Sequence, residues 1–300
     1  MLSFVKLEAT GNDFVVVDDA VLPAHSGPLH PDAEASSHSE AALRAPAVAP
    51  TLPVSVRRRL CDRHTGIGGD GVLTILGRDG RYRMHITNPD GSVPEMCGNG
   101  LRCVARHLAE TGRIPTLQRV VIDTDAGPRT VVVAAALDRV TIEMGSAAFV
   151  SPRQFPRPLS REPLHGFARA TTVSMGNPHV VIEVDQLPTL EEATRFGRAI
   201  ELDAALFPER TNVEWVLVGH VGPETFVEVI VWERGAGLTQ ACGTGACGVA
   251  AVLVKHGVVP PGTTRVSLPG GALDISVSDL DTPIFMEGPV KRVFAGVADV

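Results

Sequence analysis

A four-residue pattern, Cys-Gly-X-Gly, occurs twice in this chain, beginning at Cys97 and again at Cys242. Each copy opens a segment with helical apolar spacing. The first carries Leu101, Val104, Ala105 and Leu108 and closes near Gly112; the second is apolar nearly all round through residues 249–254 and closes near Gly257. Nine positions before each cysteine stands a polar residue, Asn88 in one case and Glu233 in the other. Further upstream, Gly11 and Asn12 precede the apolar run 14–17, and Gly176 and Asn177 precede the run 180–182. The order Gly-Asn, strand, polar residue, Cys-Gly-X-Gly, helix therefore recurs, which is the mark of an internal duplication. Asn12 and Cys97 are 85 positions apart, whereas Asn177 and Cys242 are 65 apart. The excess of 20 fits inside residues 20–50, where nine Ala, five Pro and four Ser among 31 residues read as an inserted flexible loop.

Elsewhere short apolar and β-branched runs alternate with Gly, Pro and Asp. Strands are expected over 14–17, 72–76, 82–87, 120–123, 130–133, 140–144, 179–184, 213–218, 226–232, 265–268 and 273–277. Helices are expected near 54–64, 100–111, 189–200 and 245–256. Many strands with few helices imply an α+β architecture rather than a parallel βαβ series. Residues 66–71 spell GxGxxG, but a helical pattern precedes them and a strand follows, the reverse of what a dinucleotide fingerprint requires. They read as a turn.

A helix N-terminus offers unpaired N–H groups and the positive end of the helix dipole, which bind anions and lower the pKa of a nearby thiol. One cysteine in that place is commonly a packing residue. Two in matching, glycine-flanked settings point to chemistry, leaving Cys61, Cys103 and Cys247 as packing residues. Cys97 and Cys103 are six apart and Cys242 and Cys247 five, without the C-x-x-C spacing usual in zinc and redox sites. No metal site is expected, and a thiol redox or metal-binding protein is the rival from another class. Two opposed thiols suit inversion of a carbon centre, which needs a base on one face and an acid on the other. Only Lys6, Lys255 and Lys291 stand against twenty-four arginines, none in a phosphate-cradling context, so no pyridoxal phosphate and no other cofactor is expected. Positioned donors must then meet the developing charge. A net charge of -7 and only 13 aromatic residues argue against a nucleic-acid partner. No run approaches the roughly 18 apolar residues of a membrane span, and no signal-peptide core opens the chain, so a cytoplasmic protein is expected.

Six segments, in order, resemble the diaminopimelate epimerase family: ATGNDFVVVD at 9–18, NPDGSVPEMCGNGLRC at 88–103, SMGNPHVVI at 174–182, ERTNVEW at 209–215, ERGAGLTQACGTGAC at 233–247 and LPGG at 268–271. The resemblance covers nearly the whole chain. It implies two pseudo-symmetric halves, residues 1–141 and 142–287, each a β-barrel-like sheet around a central α-helix, with residues 288–300 returning to the first half. It also implies an active site in the cleft between them, a homodimer, and interconversion of LL- and meso-diaminopimelate in lysine biosynthesis and peptidoglycan precursor supply. By the same resemblance Cys97 and Cys242 exchange roles as thiolate and thiol. Backbone N–H groups of Gly98, Asn99, Gly243 and Thr244 hold the reacting carboxylate, and Asn88, Asn177, Asn212 and Arg234 read the distal amino acid centre. Asn12, His179 and Glu233 contact or orient the reacting end. Taken singly, the asparagines read as turn residues, Glu233 and Arg234 as a surface pair and His179 as a buried strand residue. Gly71 stands where some members carry glutamine and Leu238 where an acidic residue is frequent, two departures that bear on substrate affinity. A proline or hydroxyproline racemase of the same fold is the alternative reading; it would have no use for the distal set.

Overall fold

A computed structural model describes residues 1–18, 52–78, 80–93, 97–222 and 224–299; the insertion expected at 20–50 lies outside the described residues. The first half runs β1 (Leu2–Ala9), β2 (Asn12–Asp18), α1 (Val54–Cys61), β3 (Gly71–Arg78), β4 (Arg81–Thr87), α2 (Gly98–Glu110), β5 (Val120–Thr124), β6 (Arg129–Val133) and β7 (Arg139–Gly145). The second runs β8 (Glu162–Leu164), β9 (Phe167–Ser174), β10 (Pro178–Val184), α3 (Leu190–Glu201), β11 (Asn212–Val221), β12 (Glu224–Glu233), β13 (Gly237–Leu238), α4 (Gly243–Lys255), β14 (Gly262–Leu268), β15 (Gly271–Val277) and β16 (Ile284–Pro289). β17 (Lys291–Ala298) is the last element among the described residues.

Equivalent strands pair in equivalent ways. The hairpin β1–β2 corresponds to β9–β10, and β2 lies parallel to β3 as β10 does to β11. The antiparallel pairs β3–β4 and β11–β12 follow, then the parallel pairs β4–β5 and β12–β14. The meanders β5–β6–β7 and β14–β15–β16 complete the two copies. Their last strands pair with one another, Ile142 opposite Met286, so the sheet is continuous across the seam. β17 then crosses back to lie antiparallel to β1, with Leu2 opposite Ala298.

Each copy wraps its sheet around one helix: α2 packs against β1, β2, β3, β4, β6 and β7, and α4 against β9, β10, β11, β14, β15 and β16. The near-continuous apolar run in β2 follows from burial on both faces. Phe14 and Val16 join the core around α2, while Val15 and Val17 pack with Leu60 and Cys61 of α1. β10 repeats the arrangement, with Val181 in the central core and Val180 and Ile182 against Ala193 and Ile200 of α3.

Helix α1 stops at Cys61, short of the expected 64, because Asp62 Oδ1 accepts the N–H groups of His64 and Thr65 and turns the chain. The glycine-rich residues 66–71 connect α1 to β3, a helix-to-strand turn. Strands β1, β8, β9, β13 and β16 were not among the expected ones. In β1 the alternation is broken by Lys6, which is buried because its ammonium pairs with Asp13 Oδ2 at 2.5 Å. No helix among the described residues is long and apolar enough to cross a membrane.

Candidate active site

Gly98 and Gly243 are the first residues of α2 and α4, and the cysteine before each is the helix N-cap. Both caps have extended backbones, and each Sγ accepts the N–H three residues on: Gly100 N at 3.2 Å from Cys97 and Gly245 N at 3.4 Å from Cys242. Sulfur thus takes the place that a serine or aspartate oxygen fills in an ordinary cap. Glycine after each cysteine is a packing requirement. A Cβ on Gly98 would stand 2.8 Å from Met286 Cε, and one on Gly243 would stand 2.9 Å from Met286 Sδ. One methionine of β16 therefore lies against both helix starts.

The two starts are tied across the seam. Asn99 Nδ2 donates to Ala241 O, beside Cys242, at 3.3 Å, and Asn99 Oδ1 accepts from Arg102 Nη2 at 2.9 Å. Arg102 is wholly buried; its Nη2 also reaches Thr10 Oγ1 at 2.6 Å and its Nε reaches Pro289 O at 3.2 Å. The loss of water brings this guanidinium down to about 10. The turn between β14 and β15 closes the same seam. Gly270 N donates to Gln240 O at 2.8 Å, and a Cβ on Gly270 would collide with the Thr10 carbonyl.

Where the halves meet, a cavity of about 500 Å³ is lined by Asn12, Asn88 and Cys97 from the first and by Glu233, Arg234 and Thr239 from the second. A space of about 340 Å³ has Asn177 and Thr244 on one wall and Asp125 and Arg129 on the other. These sizes suit small molecules. Asn212 is placed otherwise: its buried amide donates to Pro178 O at 2.9 Å and accepts from Arg234 N at 2.9 Å, which fixes the turn carrying Arg234. Arg234 Nη1 in turn donates to Glu209 O at 3.0 Å.

His179 is also buried. Its Nδ1 lies 2.7 Å from Glu214 Oε1 and its Nε2 lies 3.1 Å from Asn177 Oδ1. Asn177 Nδ2 donates to Thr244 Oγ1 at 3.3 Å, and that hydroxyl lies 3.4 Å from Cys242 Sγ. Sequence reading passes over Glu214, Arg102 and Thr239. For Glu214 the available signal is a carboxylate inside the apolar run 213–218; for Arg102, partners as far away as Thr10 and Pro289 leave no local signal, and Thr239, six residues from its partner Glu233, matches no pattern in the sequence.

Burial governs the electrostatics. It pushes Cys97 up to about 11, with the Gly100 N–H and Arg102 opposing and Glu233 adding. Cys242 is pushed well above an ordinary thiol, by burial first and then by the Glu233 and Glu214 carboxylates. Burial raises Glu233 as well, against hydrogen bonds from Thr239 Oγ1, at 2.5 Å, and from Cys242. The N–H groups at the helix starts do lower these thiols, as expected, but burial outweighs them. Losing water costs a thiolate more than a capping N–H and a helix end return.

The diaminopimelate epimerase family model matches residues 45–150 and 171–293. The chain is 38% identical to the diaminopimelate epimerase of Desulfitobacterium hafniense over 99% of this chain and 98% of that protein. It is also 38% identical to that of Heliobacterium modesticaldum over 98% of this chain and 99% of that protein. Among solved structures, a probable proline racemase from Agrobacterium radiobacter has the same fold, with a TM-score of 0.64 at 13% identity over 100% of this chain and 93% of that one. From the matched family model and the full-length likeness to these relatives, the chain belongs to the diaminopimelate epimerase family.

Proposed function

We propose that this protein interconverts LL- and meso-diaminopimelate by inverting one α-carbon through two-base proton transfer, independently of pyridoxal phosphate. The observation that supports it most is the matched pair of N-cap thiols, Cys97 and Cys242, at helix starts joined by Asn99. One cysteine, as thiolate, removes the α-proton, while the other, as thiol, delivers its proton to the opposite face. One C–H bond breaks, another forms, and the two sulfurs exchange protonation states. The intermediate's charge flows into the substrate carboxylate, which is held by the N–H groups of Gly98, Asn99, Gly243 and Thr244. These lie in the first helical turns, where no helical carbonyl satisfies them.

Glu233 raises both thiols, but Glu214 adds to it only at Cys242, so Cys97 is the readier thiolate and Cys242 the readier donor. Each pH unit between a thiol and its surroundings costs the thiolate about 1.4 kcal/mol, and substrate binding must offset that cost. Asn88 and Arg234 read the distal amino acid centre, with Asn212 holding the Arg234 turn, while Asn177, whose amide is engaged by His179 and Thr244, belongs to the set around Cys242. Asn12 meets the reacting end, while His179 and Glu233 orient the groups around Cys242. The halves divide between β7 and β8 rather than at residue 141, which lies inside β7, and β17 belongs with the first half. The enzyme works in the cytoplasm, on a small molecule, as a homodimer; exposed Val293, Phe294 and Val297 on β17 offer an apolar surface for assembly.

Turnover in deuterated water tests the reading. The inverted product carries solvent deuterium at the α-carbon, and Cys97→Ala or Cys242→Ala slows epimerisation by about 1000-fold or more. Unlabelled product, or full activity in either variant, overturns it.

A further inference from the structure

The duplication supplies an internal control for every residue near the site. His179 pairs with Asn212 as Phe14 pairs with Gly71, and Glu214 stands opposite Val181 as Leu73 stands opposite Val16. The helix starts give the same correspondence: a Cβ on Gly100 would lie 2.9 Å from Leu73 Cδ2, and one on Gly245 would lie 2.5 Å from Glu214 Oε1. The second half therefore has His179 and Glu214 where the first has Phe14 and Leu73.

The fold does not need polar side chains in these places, since its other copy packs them with apolar ones. Both polar residues have no exposed surface, and Glu214 Oε2 has no hydrogen-bond partner among the described residues. Burying such a pair where Phe and Leu would fit costs stability. What it supports is a continuous set of contacts ending at a thiol: Glu214 to His179 at 2.7 Å, His179 to Asn177 at 3.1 Å, Asn177 to Thr244 at 3.3 Å and Thr244 to Cys242 at 3.4 Å. A carboxylate on Nδ1 sets which ring nitrogen carries a proton and how the ring is turned. The ring then sets which end of the Asn177 amide faces Thr244.

We propose that Glu214 is a positioning residue of the active site, holding Thr244 against the Cys242 thiol through His179 and Asn177. The proposal rests on the reading of Cys242 as one of the two proton-transfer groups.

Steady-state kinetics of the protein with diaminopimelate test it. Glu214→Leu, which installs the residue of the equivalent place, lowers kcat by about 100-fold and changes KM far less, and Glu214→Gln, which keeps an acceptor for Nδ1–H, recovers most of that loss. The double variant His179→Phe with Glu214→Leu copies the apolar pair of the first half. It unfolds in urea no earlier than the wild type, yet stays as slow as Glu214→Leu alone, because the two residues act as a unit. A double variant with near wild-type turnover shows that the pair only fills space, and overturns the proposal. A folded Glu214→Leu protein with wild-type kcat does the same. Should Glu214→Leu alone fail to fold, the Gln variant and the double variant decide on the same terms. Wild-type protein that inverts no diaminopimelate overturns the functional reading and this proposal together, whereas wild-type turnover with a fast double variant overturns the positioning role alone.

Discussion

Arg102 shows how much one side chain can hold. Its guanidinium serves Thr10, Asn99 and Pro289 from a fully buried position. Arg102→Leu leaves those acceptors dry and unpaired, each worth about 1–3 kcal/mol when buried, so urea unfolding shows a loss of about 2–4 kcal/mol. Arg102→Lys restores little, because a single ammonium cannot reach acceptors arranged for a planar fork. The thiols differ from one another in a way alkylation reveals. Cys97 borders the cavity and is raised to about 11, while Cys242 is buried and raised further. Iodoacetamide therefore modifies Cys97 first, and because thiolate grows with pH below the pKa, the rate climbs steadily from pH 7 to 10; peptide mass spectrometry checks both points. Cys97 and Cys242 were legible in the sequence because a cap and its glycines lie within four consecutive residues. Arg102 was not, because Thr10 and Pro289 are brought to it from far away in the chain, and Glu214 showed only as a carboxylate inside an apolar run.

At the level of elements, the helices and most strands follow from local patterns. The duplication was visible because it repeats those patterns in the same order. Strand β1 escaped because its buried lysine depends on Asp13 in the next strand. The match LPGG acquires a physical reason in the structure. Its Gly270 lets the β14–β15 turn close on the Thr10 carbonyl and on the loop leading to Cys242. Gly270→Ala pushes these elements apart; the expected outcome is a loss of about 1–3 kcal/mol in thermal or urea unfolding. A larger fall in kcat/KM than in stability accompanies it, since the displaced loop carries a thiol. An unchanged kcat/KM would show that the turn does not set the spacing of the helix starts.

For the molecule as a whole, acid stability depends on a charge network at the edge of the first half. Asp13 meets Lys6 at 2.5 Å and Arg63 at 2.6 Å, and Arg63 also meets Asp70 at 2.7 Å. Against the cost of burial, hydrogen bonds from Arg63 and Lys6 hold Asp13 down to about 2. A depressed carboxylate stabilises the fold above its unfolded value near 3.8 and loses that contribution as pH falls toward 2. Burial pushes Asp70 the other way and offsets part of the gain. The net contribution is about 1–2 kcal/mol, so Asp13→Asn is less stable than the wild type at pH 7 and equal to it near the acid limit, as urea titrations at the two pH values will show. The crossing of β17 to β1 has a different kind of consequence. β1 gains its neighbour β17 only when residues 291–298 have been made. Pairing over such a separation is slow, and until then β1 offers an open edge to any other strand. A lesion in β17 is therefore felt at β1, during synthesis, before any substrate is met.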